Sequence, residues 1–146
     1  KRGYLKAQKQ RVRKKKKNDV PNFDTFVFDD YKIYVGKHNI QNDYLTWKFA
    51  RKNDTWLHAK DLHGSHVILD VSEPSEEALR NAAMLAAWYS QGRHSSSVPV
   101  NYTLIKTLKK IPGNQGSLVS LSTYKTIYID PEQETIQALM DQHLMK

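Results

Sequence analysis

One segment limits the folds open to this chain more than any other. Residues 72–91 read SEPSEEALRNAAMLAAWYSQ, the clearest helical pattern in the sequence. Pro74 suits a first turn, Ser75 can cap it, and Glu76 and Glu77 oppose the positive helix end. Leu79, Ala82, Ala83, Ala86 and Tyr89 form one apolar stripe, which Met84, Leu85, Ala87 and Trp88 widen almost all round. A helix apolar over so much of its circumference is buried on more than one side. Its four central alanines permit close approach to a sheet, so the rest of the chain must supply strands. Gly92 is placed to serve as a C′ residue, followed by Arg93 and His94.

The strands are legible as short β-branched and aromatic runs. Phe23, Phe26 and Phe28, then Tyr31 to Val35, flank Asp29-Asp30 and predict a hairpin ended by Gly36. A short helix is predicted over about 43–51, with Asn42 as N-cap, Asp43 in the first turn, and Leu45 and Phe49 at helical spacing. Residues 55–60 alternate, putting Trp56, His58 and Lys60 on one face and Leu57 and Ala59 on the other. Asp61 to Gly64 turn the chain, and residues 65–71 return with Ser65, Val67 and Leu69 opposite His66 and Ile68. Beyond the long helix come a strand over Val98–Tyr102, a hairpin near 117–122 and 125–130, and a helix over 134–145 carrying Ile136, Leu139 and Met140. There is no regular βαβ alternation. The expected class is α+β, a mostly antiparallel sheet with one long buried helix and one short helix. Three regions follow: a basic linker arm over 1–20, a folded domain over 21–131, and a C-terminal tail or short helix over 132–146.

Charge separates the arm from the body. The net charge is +8, but residues 1–17 hold ten Lys and Arg and no acid. The other residues hold 13 bases and 15 acids, a net of −2. The block Lys14, Lys15, Lys16, Lys17 repels itself and reads either as a solvated linker or as an arm for a polyanion. The body still has two locally basic stretches. One holds Lys32, Lys37, Lys48, Arg51, Lys52 and Lys60; the other holds Arg93, Lys106, Lys109, Lys110 and Lys125. If they share a face, a near-neutral body carries a basic patch. Tyr34, Trp47, Trp56 and His58 interleave with it, as in proteins that stack unpaired bases; the alternative is that these aromatics are core.

Several chemistries lose their footing. With no cysteine there is no disulfide, thiolate zinc site or cysteine nucleophile. No apolar run reaches the ~18–20 residues of a membrane span, so membrane insertion is not expected. The basic start is not followed by an apolar stretch and does not read as a secretory signal; opening without Met, the chain reads as a piece of a longer protein. There is no P-loop pattern. His58, His63 and His66 could converge on a metal, but no carboxylate cluster completes the ligand set. An acid–base pairing of His58 or His66 with Asp61 or Asp43 is open, though nothing in the spacing demands it. No cofactor is expected.

The stretch IYVGKHNIQNDYLTWKFARKNDTWLHAKDLHGSHVIL resembles the NFACT-R domain, the RNA-binding domain of the NFACT proteins. The likeness continues through EPSEEALRNAAMLAAWYS, SSSVPVNYT and KTIYIDP, and spans roughly residues 23–131. His63 stands where the family commonly has Pro, and the turn Ile111 to Gly116 lacks the family's usual Lys-Pro-Gly. The resemblance implies a noncatalytic module of a ribosome quality-control factor, engaging tRNA on the stalled large ribosomal subunit while alanine tails are added to the nascent chain. Its partners would be tRNA, ribosomal RNA and the remaining NFACT domains, and its compartment the cytoplasm. At matching motif positions it implies Lys37, Asn39, Gln41, Asn42, Asp43, His58, Lys60, Asp61, Ser65 and His66 as RNA-facing residues, with Lys14 to Lys17 as an electrostatic tether. The alternative for Asn42 and Asp43 is to cap a helix, and for Ser65 a structural role. Relatives described as fibronectin-binding surface proteins, without signal or anchor, imply an alternative as an adhesin module. An RNA-processing enzyme is the third alternative.

Overall fold

A computed structural model describes residues 22–111 and 119–145. Lys14 to Lys17 and the Pro112–Gly116 turn lie outside the described residues. The fold is α+β, built on a seven-stranded sheet whose order is β8-β5-β3-β4-β2-β1-β9 and whose neighbours are all antiparallel. The strands are β1 (Asp24–Val27), β2 (Lys32–Val35), β3 (Thr55–Ala59), β4 (Val67–Leu69), β5 (Val98–Leu104), β8 (Lys125–Ile129) and the two-residue β9 (Leu144–Met145). A separate ribbon pairs β6 (Leu108–Lys110) with β7 (Val119–Leu121).

Strand alternation gives the sheet two buried faces. On one face Phe26, Ile33, Val35, Leu57, Ala59, Val67 and Leu69 pack against α2 (Glu76–Trp88). The alanines of α2 (Ala78, Ala82, Ala83, Ala86 and Ala87) are all buried, which lets the helix axis come close to the sheet. Ser75 caps α2 as expected, its Oγ accepting from Ala78 N–H at 3.1 Å. Ile136 and Leu139 of α3 (Gln133–His143) complete this core, and β9 then joins the sheet beside β1. On the other face Trp56, Ile68 and the half-buried Tyr34 meet Leu45, Ile105 and Leu108 in a second, smaller core. Trp56 and Tyr34 are thus core aromatics.

Three local expectations are corrected. The short helix does not begin at Asn42. It is α1 (Asn39–Tyr44), with His38 in the N-cap position, and Leu45–Phe49 continue it as one π-helical turn closed by Ala50 N–H donating to the Leu45 carbonyl at 2.9 Å. No side chain caps α1; Gln41 instead reaches back past the N-cap, its Oε1 accepting from Lys37 N–H at 2.8 Å and fixing the entry of the chain into the helix. The expected hairpin over 117–130 does not form either. β7 pairs with β6, and β8 crosses to β5 at the edge of the main sheet. Finally, Gly92 is not a left-handed cap. α2 ends at Trp88 with Tyr89 as its C-cap, and Gly92 packs closely under two side-chain ends, where a Cβ would lie 2.9 Å from Leu62 Cδ1 and 3.1 Å from Val98 Cγ2.

Candidate nucleic-acid interface

The second face of the sheet is only partly covered, and the gap lies at the ends of β3 and β4. The β3 ladder with β5 ends there for a chemical reason. Lys60 N–H still donates to the Pro99 carbonyl at 2.8 Å, but Pro99 has no N–H to return. The chain peels away into the turn Asp61 to Gly64. Asp61 takes the left-handed conformation, φ 57°, which Asp tolerates better than most residues. Gly64 then bridges to Ser90 at the end of α2, and a Cβ on Gly64 would stand 2.8 Å from Ser90 Cβ. Two further bonds hold the turn: Ser65 N–H to the Tyr89 carbonyl at 2.9 Å, and Gln91 N–H to the His63 carbonyl at 2.9 Å. Ser65 is buried in this seam.

The turn divides two concavities, with His63 on the rim of both. The first, about 330 Å³, is lined by His58, Lys60, Asp61 and His66, with Trp56 and Asn101 from the sheet and Val119 and Leu121 from β7. The second, about 430 Å³, is lined by Lys37, Asn39, Asn42 and Ser65, with Trp88 and Arg93 from the far end of α2. The motif residues therefore assemble around one turn, although they come from three separated stretches. Gln41 and Asp43 line neither concavity.

Aromatic packing and hydrogen bonds order the floor between them. His58 stacks on Trp56 with ring centroids 5.7 Å apart, and the His66 ring stands edge-on to both at 5.4 Å. Asn42 and Thr46, one helical turn apart, hold His66. Asn42 Oδ1 accepts from His66 N–H at 3.1 Å, and Thr46 Oγ1 lies 2.7 Å from His66 Nδ1. Asn42 is 4% exposed and His66 2%, so these two form the frame beneath the surface. Gly36 N–H donates to the His66 carbonyl at 3.0 Å and packs directly on Asn42.

Cations stand at the rims. Lys37 Nζ lies 3.1 Å from Asp24 Oδ2, a partly exposed ion pair of small worth. The Arg93 guanidinium sits 4.2 Å over the Trp88 ring, which aims it without neutralising it. Lys60 is exposed at the end of β3. Lys110 pairs with Val119, so it stands on the same face of the ribbon as the cavity wall. Both basic stretches contribute to these rims, as the shared-face condition requires. Arg93 and Asn101 were outside the motif reading. The sequence signal for Arg93 was its place just past a helix ending in Trp88; for Asn101 it was a lone amide inside a β-branched strand.

Burial lowers the pKa of His58 below its ordinary 6.5, and hydrogen bonding to the backbone at Gly64 and Ala59 only partly opposes this. The folded state thus binds a proton less readily than the unfolded one. His58's contribution is present above about pH 6.5 and is lost as pH falls through that value toward the lower folded pKa. Urea melts at pH 7 and pH 5 are expected to show a loss of stability on acidification that is smaller in His58→Gln. An equal loss in both proteins would contradict this.

Among the described residues no group of three or more His, Cys, Asp or Glu could hold a metal, and no helix is long and apolar enough to cross a membrane. The profile of the "NFACT protein RNA binding domain" matches residues 22–121. The chain is 40% identical over 134 residues to the Rqc2 homolog RqcH of Bacillus subtilis, covering 91% of this chain and 24% of that protein. It is 38% identical over 141 residues to the same-named protein of Streptococcus suis, covering 94% and 25%. It spans about a quarter of the length of these relatives. Among solved structures, the C-terminal part of the fibronectin/fibrinogen-binding protein from Streptococcus suis superposes with a TM-score of 0.76 at 36% identity, over 93% of this chain and 55% of that one. The domain matched is an RNA-binding domain.

Proposed function

The chain belongs to the NFACT family, and from that premise we propose that it is the RNA-reading module of a ribosome quality-control factor. In this reading it engages tRNA on the stalled large ribosomal subunit during alanine tailing, in the cytoplasm, alongside the other NFACT domains. One observation carries the reading to this surface: two adjoining concavities, each with a cation at its rim and aromatic or amide groups inside, share one anchored turn. Lys37, Lys60 and Arg93 neutralise phosphates, while Asn39 and His58 meet exposed sugars or bases. Asn42, Ser65 and His66 hold the frame, and Gln41 ties Lys37 to the start of the helix. Lys14 to Lys17 add sequence-independent attraction.

The test is tRNA binding across a salt series, with the chain intact and with residues 1–17 removed. Removal of the arm is expected to weaken binding and flatten its salt dependence, while the body retains measurable affinity. If binding vanishes with the arm, the concavities are not an RNA surface. A second reading, attachment to an extracellular protein, is favoured by the name of the S. suis relative, a fibronectin/fibrinogen-binding protein. Fibronectin binding that persists in high salt and is not displaced by tRNA would support it.

A further inference from the structure

The edge strand β8 carries a large aromatic side chain that packs in neither core. We propose that Tyr128 is a stacking platform for one unpaired RNA base, and that it extends the RNA surface from the first concavity across β5 to the rim of the sheet. This rests on the RNA-binding reading. It adds a residue, a strand and a ligand class: single-stranded RNA in preference to duplex.

Register places the ring. Lys60 N–H donates to the Pro99 carbonyl, and Pro99 pairs with Tyr128. Residues directly opposite each other share a face of the sheet, so Lys60, Pro99 and Tyr128 form one row on the face that carries His58. His58, Asn101 and Thr126 form the next row. Ile127 and Ile129 point the other way and pack in the core under α2. Two strand spacings, about 10 Å, separate Lys60 from Tyr128.

The ring is available. Tyr128 is 64% exposed, more than any other aromatic among the described residues. Among those residues no ring, cation or side-chain hydrogen bond engages it. Edge strands are usually guarded by charge, yet β8 has none between Lys125 and Asp130. An exposed flat ring beside a cation is what stacking of single strands uses.

Charge orders the row. Lys60 supplies a cation at the end that lines the concavity. Asp130, two residues past Tyr128, supplies a carboxylate held in place by accepting from Ser97 N–H at 2.6 Å. A phosphate is attracted at the first end and repelled at the second, whereas an uncharged base is not repelled. The row therefore takes a phosphate at Lys60 and a base at Tyr128. Bases inside a duplex have both faces covered by their neighbours and cannot offer one to the ring.

The experiment titrates the 146-residue chain with an unstructured single-stranded RNA and with the same RNA annealed to its complement. Tyr128→Ala is expected to weaken single-strand binding about tenfold, the loss of one base–aromatic stack, and to leave duplex binding unchanged. Tyr128→Phe, which keeps the ring, should bind as the unaltered chain does. Irradiation with a single strand bearing iodouridine should cross-link the tryptic peptide that begins at Thr126, whose one tyrosine is Tyr128, and Tyr128→Ala should abolish that product. All variants should melt alike, because the ring lies outside both cores. Unchanged single-strand affinity in Tyr128→Ala, an equal loss for single strand and duplex, or cross-links confined to other peptides would overturn the inference while leaving RNA binding standing. Failure of the unaltered chain to bind either RNA or tRNA would overturn the RNA reading itself.

Discussion

Alanine at position 36 is expected to destabilise the domain by about 3 kcal/mol, the upper part of the range for overpacking a buried site. Gly36 lies against α1 so closely that a Cβ would sit 2.5 Å from Asn42 Oδ1 and 3.0 Å from its backbone nitrogen. Neither atom can move freely. The oxygen accepts from His66 N–H, and the Asn42 N–H donates to the His38 carbonyl at 2.8 Å as part of the helix. Either α1 shifts or the Asn42–His66 bond breaks, and a broken bond leaves a buried donor and acceptor unpaired. Urea denaturation checks the stability. A loss below about 1 kcal/mol would mean that α1 yields far more easily than its packing suggests.

The second large effect concerns RNA. Replacing Lys37, Lys60 and Arg93 together by alanine is expected to lower affinity for tRNA by more than about tenfold and to reduce the slope of log affinity against log salt by about 2. None of the three side chains is buried in the core, so the melting transition should barely change. Arg93 packs on Trp88, and Lys37 pairs with Asp24, but exposed contacts of these kinds contribute little to folding. An unchanged salt slope would show that phosphates do not meet this surface.

The strands and the long helix were legible because their signals are local. The alternation of Trp56 to Lys60, the alanines of α2 and the Ser75 cap each satisfy a periodicity or a hydrogen bond within a few residues. The errors arose where a distant partner decides. Asn42 has the composition of an N-cap, but the acceptor it supplies serves His66, 24 residues away, so the helix begins earlier. The π-helical turn carries no sequence mark of its own; it lets Leu45 face the second core while Thr46 reaches His66. Tyr124 and the residues around it look like a hairpin turn, yet β8 finds its partner in β5 and β7 in β6. Most of the residues named from the resemblance gather around one turn. Which of its residues form a rim and which a frame depends on burial, and burial is a property of the assembled fold.

The anchored turn has one more consequence. It is fixed to α2 through the Gly64–Ser90 bridge and the bonds of Ser65 and Gln91, so it moves only if the main core moves. The wall between the two concavities is therefore rigid before any ligand arrives. In the proposed reading, the ordering cost of association would fall on the RNA, which would have to unstack and bend to fit, and little of it on the protein. Strands already unpaired or looped would meet that cost most easily, so the proposed surface would select RNA by its flexibility as well as by its charge.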